Sequence, residues 1–430
     1  MSERTILVWF RNDLRVHDNE ILLEATRKAD RILPVYTFDT HYFTTHTAGT
    51  LKTGSLRAKF LLESVADLRR NLQQLGGDLL IRTGDPAELL PQLIEEYQVN
   101  EVYHHREVAS EETAVSEQVE AALWKMRINL KHFIGHTLYH KEDLPFPIKD
   151  IPDSFATFRK KVERESAVRP CVATPEQIYT PALADAGTLP SLEDLGLAEP
   201  RADVRAAGFT GGETMALQQL EAYFTRNATP VNGKAKGQAS RLSPWLAMGC
   251  LSLRQVYWAI MQHEYSSNNY PLMLELLWRD YYRFMFKKHG SKFADAAGFK
   301  AEAPETADNQ QELFEQWKTG TTGVPFVDAA MHELNATGYI GSGARQLVAA
   351  YLVQELKVDW TLGAAWFEEK LIDYSPASNW GNWASIAGVG NDPRESRTYN
   401  ITKLAKELDP KGEYTKRWLP EVSQGEAVQA

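Results

Sequence analysis

The feature that most constrains this chain is a change of hydrophobic period about halfway along it. From residue 5 to about residue 133, short β-rich runs at 6–10, 31–38, 79–82, 101–104 and 130–134 are separated by amphipathic helical stretches such as 56–75 and 86–96. Strands alternating with helices at this spacing predict βαβ units, and so a parallel sheet with helices on both faces. From Gly211-Gly212-Glu213 onward the period is helical nearly throughout, at 215–224, 244–249, 253–263, 272–289, 310–317, 325–337, 345–355 and 362–371. The fold class expected is α/β, an N-terminal doubly wound parallel sheet domain (1–134) followed by a C-terminal all-α domain (206–430). Between them, residues 135–205 lose periodicity and hold eight of the chain's 20 prolines, which reads as a connector wrapping a surface. No Gly-x-Gly-x-x-Gly follows the first strand, where the sequence is Trp9-Phe10-Arg11-Asn12-Asp13-Leu14-Arg15, so the standard dinucleotide fingerprint is absent.

A chain of 430 residues, 43% hydrophobic and 24% charged, has apolar surface for more than one core. No apolar run reaches membrane-span length, and the N-terminus lacks the basic-then-apolar order of a signal peptide, so a cytoplasmic protein with no membrane association is expected. Cys171 and Cys250 stand far apart without metal-ligand spacing, which predicts neither a disulfide framework nor a metal site. The net charge of −10 argues against coating of nucleic acid. The acidity sits mainly in residues 1–205, with 25 Lys and Arg against 32 Asp and Glu, compared with 22 against 25 in residues 206–430. A local basic face on the second half is compatible with those numbers.

Three segments carry candidate chemistry. In Ser240-Arg241-Leu242-Ser243-Pro244-Trp245, Ser243 suits an N-cap and Pro244 the first helical position. A helix start with Arg241 and two serine hydroxyls beside it could hold a pyrophosphate; a capped helix with a surface arginine gives the same sequence. In Glu275-Leu276-Leu277-Trp278-Arg279, the i, i+3, i+4 spacing puts a carboxylate, an indole and a guanidinium on one helix face, as would a surface Glu to Arg pair. The third runs from Trp317 to Glu421 and holds six of the 11 tryptophans. Tryptophan density alone reads as core. The Gly and Asn interleaved with Trp in Asn379-Trp380-Gly381-Asn382-Trp383 and Gly388-Val389-Gly390-Asn391 are more specific, since glycine lets backbone approach a flat ring and asparagine supplies a neutral hydrogen-bond partner.

These residues resemble the photolyase and cryptochrome family over nearly the whole chain. Trp9-Phe10-Arg11-Asn12-Asp13-Leu14-Arg15-Val16-His17-Asp18-Asn19 is similar to the family's opening, and 240–250, 276–284 and 320–421 to its FAD domain. Asp143-Leu144-Pro145-Phe146 with Phe155-Ala156-Thr157-Phe158-Arg159-Lys160, Gln346 directly after Arg345, and Asn379-Trp380-Gly381-Asn382-Trp383 with Gly390-Asn391-Asp392-Pro393-Arg394-Glu395 resemble its DASH cryptochrome branch. The resemblance implies an antenna domain, with methenyltetrahydrofolate as the pigment usual for the branch, and an FAD-binding helical domain. It places Ser240, Arg241, Leu242 and Ser243 at the phosphates with Arg279 helping, Glu275 at both flavin and substrate, and Arg345 paired with Asp373 beside the isoalloxazine. Ser342 and Ser375 stand at further flavin-facing positions, and Asn379 faces N5. It implies light-driven splitting of cyclobutane pyrimidine dimers, preferably in single-stranded DNA, by an electron from excited reduced FAD. The flipped dimer would meet Glu275, Trp278, Gln346 and Ser385. Photoreduction would run through Trp383, then Trp360. A monomeric blue-light enzyme follows.

The chain also departs from that pattern. The third, surface tryptophan of the family is missing near Thr306-Ala307-Asp308, leaving Trp317, Trp366, Trp380 or Tyr399 as substitutes. Ser342 stands near an expected Asn, Ser375 where a second Asp is usual, and Ser385 where an aromatic side chain stacks on the lesion. The loop before Ser240 is long, so Lys234 and Lys236 are assigned no phosphate. The chain stops soon after Glu421, without the long tail of signalling cryptochromes. The missing tail favours a repair enzyme, whereas the three serines favour a photoreceptor that binds FAD and signals with little repair. A third reading is an electron-transfer flavoprotein without a DNA role.

Overall fold

The computed structural model describes residues 3–46, 48–200, 208–227, 239–263, 270–392 and 398–419. Lys234, Lys236, Pro393, Arg394, Glu395 and Glu421, named above, lie outside the described residues. Two compact units are present. The first comprises Met1–Phe43, Ala58–Leu197 and Phe209–Gly290, the second Thr44–Arg57, Ala198–Gly208 and Ser291–Ala430.

The first unit is built on β1 (Thr5–Phe10), β2 (Arg31–Phe38), β3 (Leu80–Thr83), β4 (Glu101–His105) and β5 (Asn129–Phe133). They form one sheet in the order β3-β2-β1-β4-β5, every pair parallel. The chain winds one way from β1 and then the other, as the alternating period predicted. All six residues of β1 are buried, because a central parallel strand is covered on both faces. Its helices are α1 (Glu20–Lys28), α2 (Ser55–Gln74, whose first three residues belong to the second unit), α3 (Pro86–Glu96) and α4 (Ser110–Lys125). Asn19 caps α1 by accepting the Leu22 N–H, and Asp85 caps α3 ahead of Pro86. Leu7, Trp9, Val35, Leu80, Leu93, Val102 and Val119 share one apolar core.

The same unit continues with α5 (Phe155–Glu165), α6 (Glu213–Asn227), α7 (Ser243–Ala247), α8 (Leu253–Gln262) and α9 (Tyr270–His289). The connector expected over 135–205 is largely irregular, but α5 lies within it, burying Phe158 and Val162. The Phe158 ring packs on Tyr281 and Phe284 of α9. The buried Asp280 carboxylate on α9 accepts the N–H groups of Leu138 and Tyr139, at 2.8 and 2.9 Å. These contacts tie the segment down by burial and backbone hydrogen bonds.

The second unit holds α10 (Gln310–Thr319), α11 (Pro325–Thr337), α12 (Ser342–Ala350), α13 (Trp360–Lys370), α14 (Pro376–Ile386), α15 (Ile401–Leu408) and α16 (Glu413–Trp418). Where one helix was expected over 345–355, α12 passes into a π-helical turn at Tyr351–Glu355. Gly338 ends α11 at φ 69°, and a Cβ there would come within 2.8 Å of the Ile372 side chain. Among the described residues no helix is long and apolar enough to cross a membrane, and no group of three His, Cys, Asp or Glu could hold a metal.

Candidate functional site

The predicted site residues form two groups, one in each unit. In the first unit, Arg241 adopts a left-handed backbone at φ 54°, and its guanidinium lies 4.7 Å from the centre of the Phe209 ring. That turn leaves the buried Leu242 at the cap position, and Ser243 becomes the first residue of α7. Ser243 is therefore not the N-cap that the Ser-Pro order suggested, and α7 has only five residues. Ser240 is buried. Its hydroxyl donates to Glu275 Oε2 at 2.8 Å and accepts the Leu242 N–H at 3.4 Å. Glu275 is an exposed residue of α9, yet desolvation around its carboxyl raises its affinity for the proton, and the Ser240 hydroxyl only partly opposes this. Arg279 Nη2 donates to the Leu246 carbonyl at 2.7 Å, so α9 sends both Glu275 and Arg279 to the 240–246 segment.

Trp278 does something else. Its ring lies flat on Phe155 of α5, with centroids 3.6 Å apart and planes 11° apart, and stacks on Tyr282 at 5.5 Å. The i, i+3, i+4 spacing thus puts the three side chains on one side of α9 but gives them different partners. Phe155 was not among the predicted site residues. Its only sequence signal is the aromatic pair Phe155 and Phe158 at i, i+3, a spacing that reads as core.

In the second unit, Arg345 of α12 donates from Nη2 to Asp373 Oδ2 at 2.8 Å and from Nε to the Ile340 carbonyl at 2.8 Å. Burial alone would lower the guanidinium's affinity for its proton, but the Asp373 carboxylate outweighs that and raises it. Asn379 is buried on α14, and its Nδ2 donates to the Ala364 carbonyl of α13 at 3.0 Å. With one donor engaged there, the carboxamide oxygen is oriented as an acceptor. Ser375 is buried just before α14 and accepts the Asn379 N–H through its carbonyl at 2.9 Å. Ser342 is exposed at the start of α12, and Ser385 is half-buried near the end of α14. Gln346 Nε2 donates to the Tyr399 hydroxyl at 3.3 Å.

Trp383 and Trp360 are both fully buried. Trp383 meets Phe367 edge-on at 5.1 Å and Trp317 at 6.1 Å. Gly363 opposes it so closely that a Cβ would lie 2.3 Å from the indole Cη2. Trp360 donates its N–H to the Ala296 carbonyl at 3.0 Å and meets Trp380 at 5.8 Å.

The donor set fits FAD. A fixed carboxamide acceptor and a guanidinium clamped by a buried carboxylate match the mixed donor and acceptor edge of an isoalloxazine. Serine hydroxyls, Arg241 and Arg279 are of the type that binds pyrophosphate.

Comparison with known proteins gives the same direction. Residues 6–178 match the family described as DNA photolyase, and residues 272–429 match the FAD binding domain of DNA photolyase. A cryptochrome DASH of Gloeobacter violaceus is 46% identical, covering 98% of this chain and 87% of that protein. A cryptochrome DASH of Xenopus laevis is 42% identical, covering 99% and 84%. An Arabidopsis thaliana relative described as cryptochrome DASH, chloroplastic/mitochondrial is 41% identical, covering 97% and 75%. Among solved structures, a Synechocystis cryptochrome superposes with a TM-score of 0.92 at 40% identity, covering 98% of this chain and 90% of that one. An archaeal photolyase from Sulfolobus tokodaii, described with two FAD molecules, gives 0.82 at 27% identity, covering 97% and 91%.

Proposed function

The chain belongs to the cryptochrome DASH branch of the photolyase and cryptochrome family and carries its FAD-binding domain, and from that premise we propose that it repairs cyclobutane pyrimidine dimers under blue light, preferably in single-stranded DNA. The observation that carries this reading is the Glu275 carboxyl of α9, an exposed residue whose Oε2 is held by the Ser240 hydroxyl at 2.8 Å and whose affinity for its proton is raised by desolvation. A carboxyl open to solvent and steadied by one serine hydroxyl offers a polar partner to the edge of a flipped pyrimidine.

Bound FAD, once reduced and excited by light, supplies the electron that splits the dimer and takes it back, with no net redox change. The protein's side chains do the rest. Arg345, anchored by Asp373, and Asn379, oriented by Ala364, hold the flavin ring. Ser240, Arg241, Leu242 and Ser243, with Arg279, hold the phosphates, and Ser342 and Ser375 stand at the remaining flavin-facing positions. Trp278, stiffened by Phe155, offers the dimer an apolar face, and Gln346 and Ser385 are the further residues that meet it. Flipping a base costs least where it is damaged or unpaired, which supports the preference for single strands in a protein of net charge −10. Residues 1–134 serve as the antenna, with methenyltetrahydrofolate as its pigment, 135–205 as the connector and 206–430 as the FAD domain. The protein works as a monomer in the cytoplasm.

One observation favours the rival photoreceptor. Ser385 is a small, half-buried side chain where the family's pattern has an aromatic ring, and losing a stacking partner weakens base binding by about 1–3 kcal/mol. Illuminating the FAD-loaded, reduced protein with UV-irradiated oligothymidine separates the two. Recovery of thymine absorbance supports repair, and flavin photochemistry without any recovery supports the photoreceptor.

A further inference from the structure

Where the family's pattern has an outer tryptophan, this chain has none near 306–308, and four side chains were candidates to replace it. Trp317 is completely buried against Trp383, Phe314 and Phe367, so it leads inward. Trp366 has the ammonium groups of Lys370 and Lys318 at 4.3 and 4.8 Å from its ring centre. Two cations that close oppose the positive charge an oxidised indole carries. Tyr399 is engaged by Gln346. Trp380 is different. It is half-buried, meets the Trp360 ring at 5.8 Å, and donates its indole N–H to the Tyr374 hydroxyl at 3.2 Å.

Tyr374 has what a phenol needs in order to give up an electron. Its hydroxyl accepts the Trp380 N–H, and the Glu368 carboxylate interacts with it from α13. The Arg57 guanidinium lies 4.6 Å from its ring centre, an arrangement that opposes a cationic radical but not a neutral one. Burial, then the Glu368 charge, keeps the phenol protonated far above its ordinary range. An electron drawn from this phenol is best matched by release of its proton to the Glu368 carboxylate, since the Arg57 charge opposes a phenol radical that keeps it. Trp360 and Glu368 both belong to α13, Trp380 belongs to α14, and Tyr374 lies in the turn between those helices.

We propose that Trp380 and Tyr374 continue the path outward from Trp360, and that oxidation comes to rest on Tyr374 as a neutral phenoxyl radical with its proton on Glu368. This rests on the flavoprotein reading above, with a photoexcited oxidised flavin as the one-electron oxidant. One electron passes from Tyr374 through Trp380 and Trp360 toward that oxidant. The phenol O–H bond breaks as an O–H bond forms on the Glu368 carboxylate, and both indoles return to their starting state.

The test is time-resolved absorption and electron paramagnetic resonance on the FAD-loaded, oxidised protein after a blue flash. A tryptophan radical should give way to a tyrosyl radical, and that conversion should slow in D2O, because a proton moves. Tyr374→Phe should lose the tyrosyl signal while keeping the tryptophan one. Glu368→Gln should leave the radical on tryptophan, and Trp380→Phe should lose the tyrosyl signal as well. Flavin content, read from the absorption spectrum, checks that each variant is folded, and the D2O comparison needs no variant. Photoreduction through tryptophan radicals alone, or a tyrosyl signal surviving Tyr374→Phe, would overturn the route while leaving the flavin reading intact. A protein that holds no FAD would overturn both.

Discussion

Arg345 Nη2 and Asp373 Oδ2 lie 2.8 Å apart, and the carboxylate side chain is only 2% exposed. Removing the guanidinium would strand a buried charge. A pair this buried on one side costs up to about 3–5 kcal/mol when half of it is deleted, less here because the Arg345 side chain is 26% exposed. Arg345→Ala should therefore lower the melting temperature and weaken FAD retention by on the order of tenfold or more. Fluorescence of flavin released on dilution measures it, and full retention would show that the pair does not hold the ring.

Gly363 makes room for Trp383. Gly363→Ala would put a methyl group 2.3 Å from Trp383 Cη2 and 2.5 Å from Leu352 Cδ2. Overpacking of this kind costs about 1–3 kcal/mol. Thermal unfolding should show that loss, and the rate of light-driven flavin reduction should change with it if the displaced indole is, as proposed, the one next to the flavin. An unchanged reduction rate would remove Trp383 from the path.

The Phe155 and Trp278 stack predicts a graded effect on DNA. Trp278→Ala should weaken binding of dimer-containing oligothymidine by about 1–3 kcal/mol. Phe155→Ala, which frees the indole without removing it, should cost less. Fluorescence anisotropy of labelled oligonucleotides at fixed salt reads both. Equal losses for dimer-containing and intact strands would mean that Trp278 serves no lesion.

Acid should loosen the first unit. Burial alone would raise the Glu213 carboxyl, but His17 and the backbone N–H groups of Val16 and His17 hold it below its ordinary 4.5. The folded state thus binds that proton less tightly than the unfolded chain. Its contribution is present above pH 4.5 and is lost as pH falls through the lower, folded value. Glu213→Gln should be less stable at neutral pH by about 1–3 kcal/mol and should lose less on acidification. Circular dichroism melts across pH 3–7 would show the two curves converging, and parallel curves would contradict it.

Much of this was legible in the sequence, and the exceptions have physical causes. The five strands follow from apolar runs that both faces of a parallel sheet must bury, and α11 from Pro325 at its start and Gly338 at its end. α14 escaped, because its Pro, Gly and Asn residues read as loop until Trp383 and Asn379 are seen packing on α13. The helix α5 was hidden in a proline-rich connector whose burial comes from Tyr281 and Phe284, far away in sequence. The Ser243 cap was displaced one residue by the left-handed Arg241, a tertiary effect that no local pattern carries. Arg345 and Asp373 could be paired only through resemblance, since no local periodicity links an arginine on α12 to an aspartate beyond α13. Phe155 on Trp278 and Tyr374 beside Trp380 needed the structure.

The most direct measurement is the repair rate of a single cyclobutane thymine dimer, placed in the same sequence as a single strand and as a duplex, by FAD-loaded, reduced protein under blue light. Light-dependent repair is expected in both, faster in the single strand, with loss of that repair in Glu275→Ala while flavin stays bound. Repair absent from the single strand while flavin is bound and reduced would contradict it.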